Sequence, residues 1–223
     1  MLVIRDLKKY YNSGNSIIKA VDGITYSFEM GKFYAVIGRS GSGKSTFLSL
    51  LGALINEDSG SILKDDMDVT ALSEKQKAIY RNEKVGFVFQ NYCLEPQYTC
   101  FENILLPTIP NGKSKRNYTA RVYELLDQLG LSDRADHKVK ELSGGEKQRT
   151  AIARALINDP DIILADEPTG NLDSENGRKI INILRGIASQ GKMVIMITHN
   201  MDDASNADVI LRLSDGKLVE DNR

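Results

Sequence analysis

The stretch Gly38-Arg39-Ser40-Gly41-Ser42-Gly43-Lys44-Ser45-Thr46 constrains the fold more than any other in the chain. It fits the pattern G-x-x-x-x-G-K-S. Ahead of it runs Phe33-Tyr34-Ala35-Val36-Ile37, short, apolar and rich in β-formers. Behind it, Phe47-Leu48-Ser49-Leu50-Leu51-Gly52-Ala53-Leu54 reads as a buried helix. Strand, glycine loop and helix in that order are the setting of a phosphate-binding loop. Its glycines let successive backbone N–H groups turn toward one anion. The helix start adds unpaired N–H groups and the positive end of a dipole. In such a loop Lys44 reaches the β- and γ-phosphates, and Ser45 is placed to ligate Mg²⁺.

With 223 residues, the chain can bury the core of one large domain, or of a domain with a sub-domain. Its net charge is −1, with acidic and basic residues interleaved, which argues against a nucleic-acid partner. No apolar run approaches the ~18 residues of a membrane span. The amino terminus lacks a basic-then-apolar signal layout. A cytosolic location is expected, with any membrane part supplied by other polypeptides. Cys93 and Cys100 have no metal-ligand neighbours at useful spacing and read as reduced, structural thiols.

Residues 1–30 read as antiparallel strands, with Leu2-Val3-Ile4 opening one. Ile24, Tyr26 and Phe28 alternate with polar residues in another. Asn12-Ser13-Gly14-Asn15 is a turn signal. Tyr10 or Tyr11 ahead of it can stack on an adenine ring, but from the residues alone a core aromatic is the simpler reading. Residues 71–83 are polar and read as helical, and Val85–Phe89 is a compact strand ending in Gln90. Gln90 would meet Mg²⁺ or an attacking water, or else simply bond its own backbone. From 91 to 157 the pattern is helical. Thr99 and Glu102 open one helix, which Pro107 closes. Another carries Tyr118, Val122, Leu125, Leu126 and Leu129 and stops at Gly130. The basic run 110–116 between them reads as a solvated loop.

Leu142-Ser143-Gly144-Gly145-Glu146-Lys147-Gln148-Arg149 opens a helix through Ile157, with Ser143 and Glu146 as a capping box. Its glycines leave amides bare, a second anion site on the same chain. Asp161–Ala165 is an apolar strand that delivers Asp166 and Glu167. Strand alternation would point the two carboxylates to opposite sides. Asp166 then holds Mg²⁺ through water, and Glu167 polarises a water for attack on the γ-phosphate. After Thr169-Gly170-Asn171-Leu172-Asp173, Ser174 is a candidate cap for the helix bearing Ile180 and Leu184. Met193–Ile197 is a buried strand leading to Thr198 and His199, and a hairpin flanks Ser214–Lys217. The chain stops at Arg223, so no regulatory domain is expected after it.

Taken together and in this order, the motifs resemble the ATP-binding cassette family nearly end to end. Gly86–Gln90 and Asp166–Ser174 resemble its bacterial branch of lipoprotein-release, macrolide-efflux and antimicrobial-peptide-resistance ATPases. The resemblance implies one α/β domain over 1–223. It would have a mostly parallel core sheet, an N-terminal antiparallel β sub-domain and a helical sub-domain inserted at roughly 91–157. It implies ATP and Mg²⁺ as cofactors, Tyr11 stacking on adenine with Tyr10 as the alternative, and Glu167, His199, Lys44 and Gln90 in catalysis. Ser45, Gln90 and Asp166 would serve the metal. It also implies a head-to-tail homodimer in which Ser143, Gly144, Gly145, Glu146 and Asp173 complete the partner's nucleotide site. A transmembrane permease would be contacted through residues 91–106, placing the chain on the inner face of a bacterial membrane. An alternative is an ATPase driving a mechanical or sensory membrane complex that moves no substrate. A soluble cassette acting on DNA or ribosomes fits less well: no long coiled coil separates the phosphate loop from Ser143, and only one cassette is present. Asp66 replaces a turn glycine of the family and is expected to tolerate its left-handed backbone. Glu95, Tyr98 and Cys100 depart from its pattern where the branch meets its membrane partner.

Overall fold

The computed structural model describes residues 1–14, 16–111 and 115–220. β1 (Leu2–Ser13) and β2 (Ser16–Phe28) form a long antiparallel hairpin, with Leu2 opposite Phe28 and Asn12 opposite Ile17. Gly14, at φ 57°, turns the chain; Asn15 lies outside the described residues. β3 (Phe33–Ile37) leaves for a second sheet, and α1 (Lys44–Leu51) follows the glycine loop. The helix ends at the Gly52 cap, so Leu54 stands outside it and is 45 % exposed rather than buried. β4 (Ser59–Lys64) pairs with β1, and β5 (Met67–Asp68) with β4. In the turn between them Asp65, not Asp66, takes the left-handed backbone, at φ 52°. Its carboxylate accepts from the amino terminus and from Lys64, bonds that a glycine there would not make.

α2 (Glu74–Lys84) starts at a capping box that the sequence reading passed over. Ser73 Oγ accepts from the Gln76 N–H, and the Gln76 side chain accepts from the Ser73 N–H. β6 (Val85–Phe89) follows directly. Before β7 (Ile162–Asp166) come α3 (Cys100–Leu105), α4 (Lys115–Gln128) and α5 (Gly144–Leu156), joined partly by 3-10 turns. Thr99–Glu102 and Ser143–Glu146 are capping boxes, as read from the sequence. Of the basic stretch expected as a loop, Gly112, Lys113 and Ser114 lie outside the described residues, and Lys115 already belongs to α4.

α6 (Ser174–Ser189), β8 (Met193–Ile197), α7 (Met201–Ala204), β9 (Val209–Ser214) and β10 (Lys217–Glu220) complete the order. The cap of α6 is Asp173, not Ser174: Asp173 Oδ1 accepts from the N–H groups of Glu175 and Asn176. A carboxylate there also answers the helix's positive end, which a hydroxyl does not. Those backbone bonds, chiefly Asn176's, hold the Asp173 carboxyl below the usual carboxylate range.

The antiparallel sheet runs β2-β1-β4-β5, and the second runs β10-β9-β3-β8-β7-β6. In the second, every pairing from β9 to β6 is parallel, and β10 is antiparallel to β9. Its central strands β3 and β8 are apolar throughout because both faces are covered. Phe33, Ala35, Ile163, Ala165, Val194 and Met196 face a core built with α3 to α6. Tyr34, Val36, Ile162, Leu164, Met193 and Ile195 face a second core built with α1 and the antiparallel sheet. Cys100 belongs to the helical core, fully buried, its Sγ 3.1 Å from Thr150 Oγ1. That burial fits the structural thiol expected from the sequence and keeps its side chain from any partner; Cys93 is the exposed thiol.

Asn103 organises the turn that leads into α3. It is fully buried, its Oδ1 accepts from the Glu95 N–H, and its Nδ2 donates to Glu95 O and Thr99 O. Asn103→Ala leaves the Glu95 N–H unpaired, while Glu95 O and Thr99 O keep the N–H groups of Tyr98 and Asn103; it is expected to cost on the order of 2 kcal/mol, read as a lower urea midpoint.

Candidate nucleotide site

The carboxyl ends of β3, β8, β7 and β6 stand side by side because these neighbouring strands are parallel. Register keeps them level: Phe89 pairs with Asp166, and Asp166 with Ile197. The residues that follow are the ones singled out in the sequence: the glycine loop after β3, Thr198 and His199 after β8, Glu167 after β7 and Gln90 after β6. A cavity of about 680 Å³ opens over these ends. Ser40, Gly41, Gly43, Lys44, Ser45 and Thr46 line one side, and Gln90, Asp166, Glu167 and His199 the other. Tyr11 reaches it from β1.

Tyr10 points elsewhere. Its hydroxyl donates to Asp22 Oδ1 at 2.5 Å, and that bond pushes its pKa up to about 12. Ile18, Ala20 and Ile197 also line the cavity, and the sequence reading passed over all three. The signal for Ile18 was pairing: it stands directly opposite Tyr11 in the hairpin. Gly38, Arg39 and Ser42 shape the loop without lining this cavity.

Lys44 is buried, and its ammonium donates to the carbonyls of Gly38 at 2.9 Å and Arg39 at 3.0 Å. These bonds curl the loop around its own cation and fix the charge before any ligand arrives. Gly43 has φ 96°, and a Cβ there would fall 1.9 Å from Ala20 O. Only glycine lets β2 press against the loop at that point.

Asp166 and Ser45 both line the cavity, close enough for the Ser45 hydroxyl to favour the Asp166 carboxylate. Burial raises the Asp166 pKa, Glu167 adds to this, and the Ser45 hydroxyl and the Lys44 charge oppose it. A carboxylate in such a place is stabilised by a cation. Glu167 lies beyond the strand, at φ 48°, so strand alternation does not govern it, and both carboxylates line the one cavity. Its N–H donates to Ile197 O at 3.0 Å, tying that turn to the end of β8. Glu167 Oε2 sits 2.8 Å from His199 Nδ1, so the ring and the carboxylate hold each other in place.

Gln90 does not bond its own backbone; its side chain and carbonyl both engage Asn171. Ser45 hydroxyl, Asp166 carboxylate and Gln90 amide are oxygen donors at one cavity, which suits a small hard cation. Among the described residues no group of three or more His, Cys, Asp or Glu side chains is arranged to hold a metal. The residues therefore fit Mg²⁺ held mainly by phosphate oxygens and water, with a few protein oxygens.

Ser143, Gly144, Gly145, Glu146 and Asp173 do not line this cavity. Ser143 is exposed at the start of α5. A Cβ on Gly145 would lie 2.6 Å from Asn176 Oδ1, so this helix start packs directly on α6. The Ser143 amide and hydroxyl both donate to Glu146 Oε2, and Arg134 Nε donates to Oε1 at 2.7 Å. These partners, the Ser143 amide foremost, hold the Glu146 pKa down at about 2.

A family model described as "ABC transporter" matches residues 21–170. The chain is 42 % identical over 224 residues to the lipoprotein-releasing system ATP-binding protein LolD 1 of Rhodopirellula baltica, covering 100 % of this chain and 98 % of that one. It is 42 % identical to the macrolide export ATP-binding/permease protein MacB of Mannheimia succiniciproducens, of which it spans 35 %. A solved dimeric structure of the ATP-binding cassette MJ0796 in a post-hydrolysis state, bound to ADP and Pi, superposes with a TM-score of 0.90 at 37 % identity. The match covers 99 % of this chain and 98 % of that one.

The folded chain keeps Glu146 ionised to lower pH than the unfolded chain, whose value is 4.5. Its contribution to stability is complete above about pH 4.5 and fades as pH falls toward 2. Glu146→Gln is therefore expected to be less stable than wild type at neutral pH. Acid-unfolding curves should converge toward pH 2.

Proposed function

Because the chain belongs to the ABC transporter family, we propose that it is the ATP-hydrolysing subunit that powers a separate transmembrane permease. The observation that carries this is the division of anion-binding parts. The glycine loop builds one half-site over the parallel strands. The bare start of α5 is a second half-site that does not line the same cavity. Such a chain uses both halves only in a two-fold pair, each copy's Ser143, Gly144 and Gly145 closing on the other's nucleotide. Glu146 holds that helix start in shape, and Asp173 holds the neighbouring start of α6. Dimeric cassettes of matching fold support the reading.

Within each site Tyr11 stacks on the adenine, and Ile18 extends that wall. The amides of the glycine loop and Lys44 hold the β- and γ-phosphates. Ser45, Asp166 and Gln90 hold Mg²⁺, which when bound neutralises charge on the phosphate oxygens. Glu167 takes a proton from the attacking water, and His199 fixes the Glu167 carboxylate through the 2.8 Å contact. Opposed dipoles and cations pre-set around the phosphates are the main source of rate in this class of reaction.

The permease is proposed to dock beside residues 91–106. There a groove of about 840 Å³ is lined by Leu54, Ile79, Phe87, Phe89, Cys93 and Pro107, among others. Leu54 and Ile79 are 45 % and 49 % exposed. A helix of a membrane protein presenting apolar side chains suits it. Among the described residues no helix is long and apolar enough to cross a membrane. We place the chain on the inner face of a bacterial membrane, serving export, lipoprotein extraction or peptide resistance; the relatives' names speak of lipoprotein release and macrolide export.

Glu167→Gln is expected to bind ATP and dimerise while turning it over at least ~10²-fold more slowly. Phosphate release and gel filtration with ATP read the two effects; near-normal turnover would remove Glu167 from its role. In detergent extracts of native membranes the tagged chain is expected to bring down an integral membrane protein, and Ile79→Glu to lose it. Purification free of any membrane protein would refute the permease reading.

A further inference from the structure

Gln90 is held by a loop that the chemistry above leaves unused. The Asn171 Nδ2 donates to the Gln90 backbone carbonyl at 2.9 Å, and the Gln90 Nε2 donates to Asn171 Oδ1 at 3.4 Å. Beneath this pair, a Cβ on Gly170 would lie 2.6 Å from Gln90 Nε2, so a bare backbone is needed for the amide to rest there.

The polarity of this arrangement is forced from one end. A backbone carbonyl only accepts, so Asn171 must turn its NH₂ toward it. That leaves Asn171 Oδ1, an acceptor, facing the Gln90 carboxamide. Gln90 must therefore offer Nε2 to Asn171, and Oε1 is left as its remaining polar atom. Gln90 lines the nucleotide cavity with Ser45 and Asp166. Oxygen, not an amide NH₂, is what a hard cation accepts from a side chain.

We propose that Asn171, seated on Gly170, is a positioning residue that sets the orientation of the Gln90 amide so that its oxygen serves Mg²⁺. This rests on the assignment of Gln90 to the cation made above. The helix start at Ser143 lies next to the same loop. Gly144 packs toward Leu172 Cδ2 and the Asn171 carbonyl, where a Cβ would lie at 3.3 and 3.8 Å.

The test is a double-mutant cycle on nucleotide binding. ADP is titrated by calorimetry with and without Mg²⁺ into wild type, Gln90→Ala, Asn171→Ala and the double variant. The Mg²⁺-dependent gain in affinity is expected to fall roughly tenfold in Gln90→Ala, by a similar factor in Asn171→Ala, and no further in the double variant. A wild-type gain in Asn171→Ala, or losses that multiply in the double variant, would overturn the proposal. An unchanged gain in Gln90→Ala would instead remove Gln90 from the cation, and the proposal with it. Side-chain ¹⁵N–¹H spectra of the nucleotide-free protein read the clamp without any metal. The Gln90 NH₂ protons are expected to be protected from solvent exchange in wild type and exposed in Asn171→Ala; equal exchange in both would show that no clamp exists.

Discussion

The site depends on the backbone ladder that keeps β6, β7, β8 and β3 parallel and in register. Each bond in it is modest on its own. Together they bring Phe89, Asp166 and Ile197 level across three strands. Glu167, past the end of its strand, extends the ladder by donating its N–H to Ile197 O. Gln90, Glu167, His199 and the glycine loop therefore emerge along one edge, at the ~4.8 Å strand spacing of a sheet. Chemistry from four distant stretches of chain converges because the strands share one direction.

Glycines then decide how closely the pieces approach. Gly43 lets β2 touch the phosphate loop, Gly170 makes room for the Gln90 amide, and Gly145 seats the start of α5 on Asn176. At each of these a Cβ would meet an atom at 2.6 Å or less. The glycines of the phosphate loop and of the α5 start thus combine two uses: they bare amides for an anion, and they let one element press on the next. The helix start that would meet a second copy's nucleotide is in this way mechanically continuous with the loop that holds Gln90.

Much of this was legible in the residues. Gly38–Thr46 announced a phosphate loop through its spacing, and the capping boxes at Thr99 and Ser143 were readable because side-chain oxygen and acid stand three residues apart. Tyr10 and Tyr11 could not be separated by composition. They alternate along one strand, and only the pairing of Tyr10 with Asp22 and the position of Tyr11 on the cavity tell them apart. The cap of α6 was misplaced by one residue, because Asp173 and Ser174 are both good capping types. Glu167 was treated as a strand residue, whereas its positive φ takes it out of the strand's alternation. Cys93 and Cys100 read alike as structural thiols, yet Cys100 is core and Cys93 exposed, since burial depends on what α5 packs against each.

By itself the sequence determined the local parts: which stretches are strands, which helix starts are bare, and which side chains carry charge or can accept a proton. Those properties depend on neighbours within about four residues, so they can be read along the chain. Tertiary structure alone decided the spatial order β3-β8-β7-β6, which differs from the order of synthesis. It also decided the contacts of His199 with Glu167 and of Asn171 with Gln90. These arise from packing two cores on opposite faces of one sheet. That is a many-body choice among long-range pairings, and no short window of sequence encodes it.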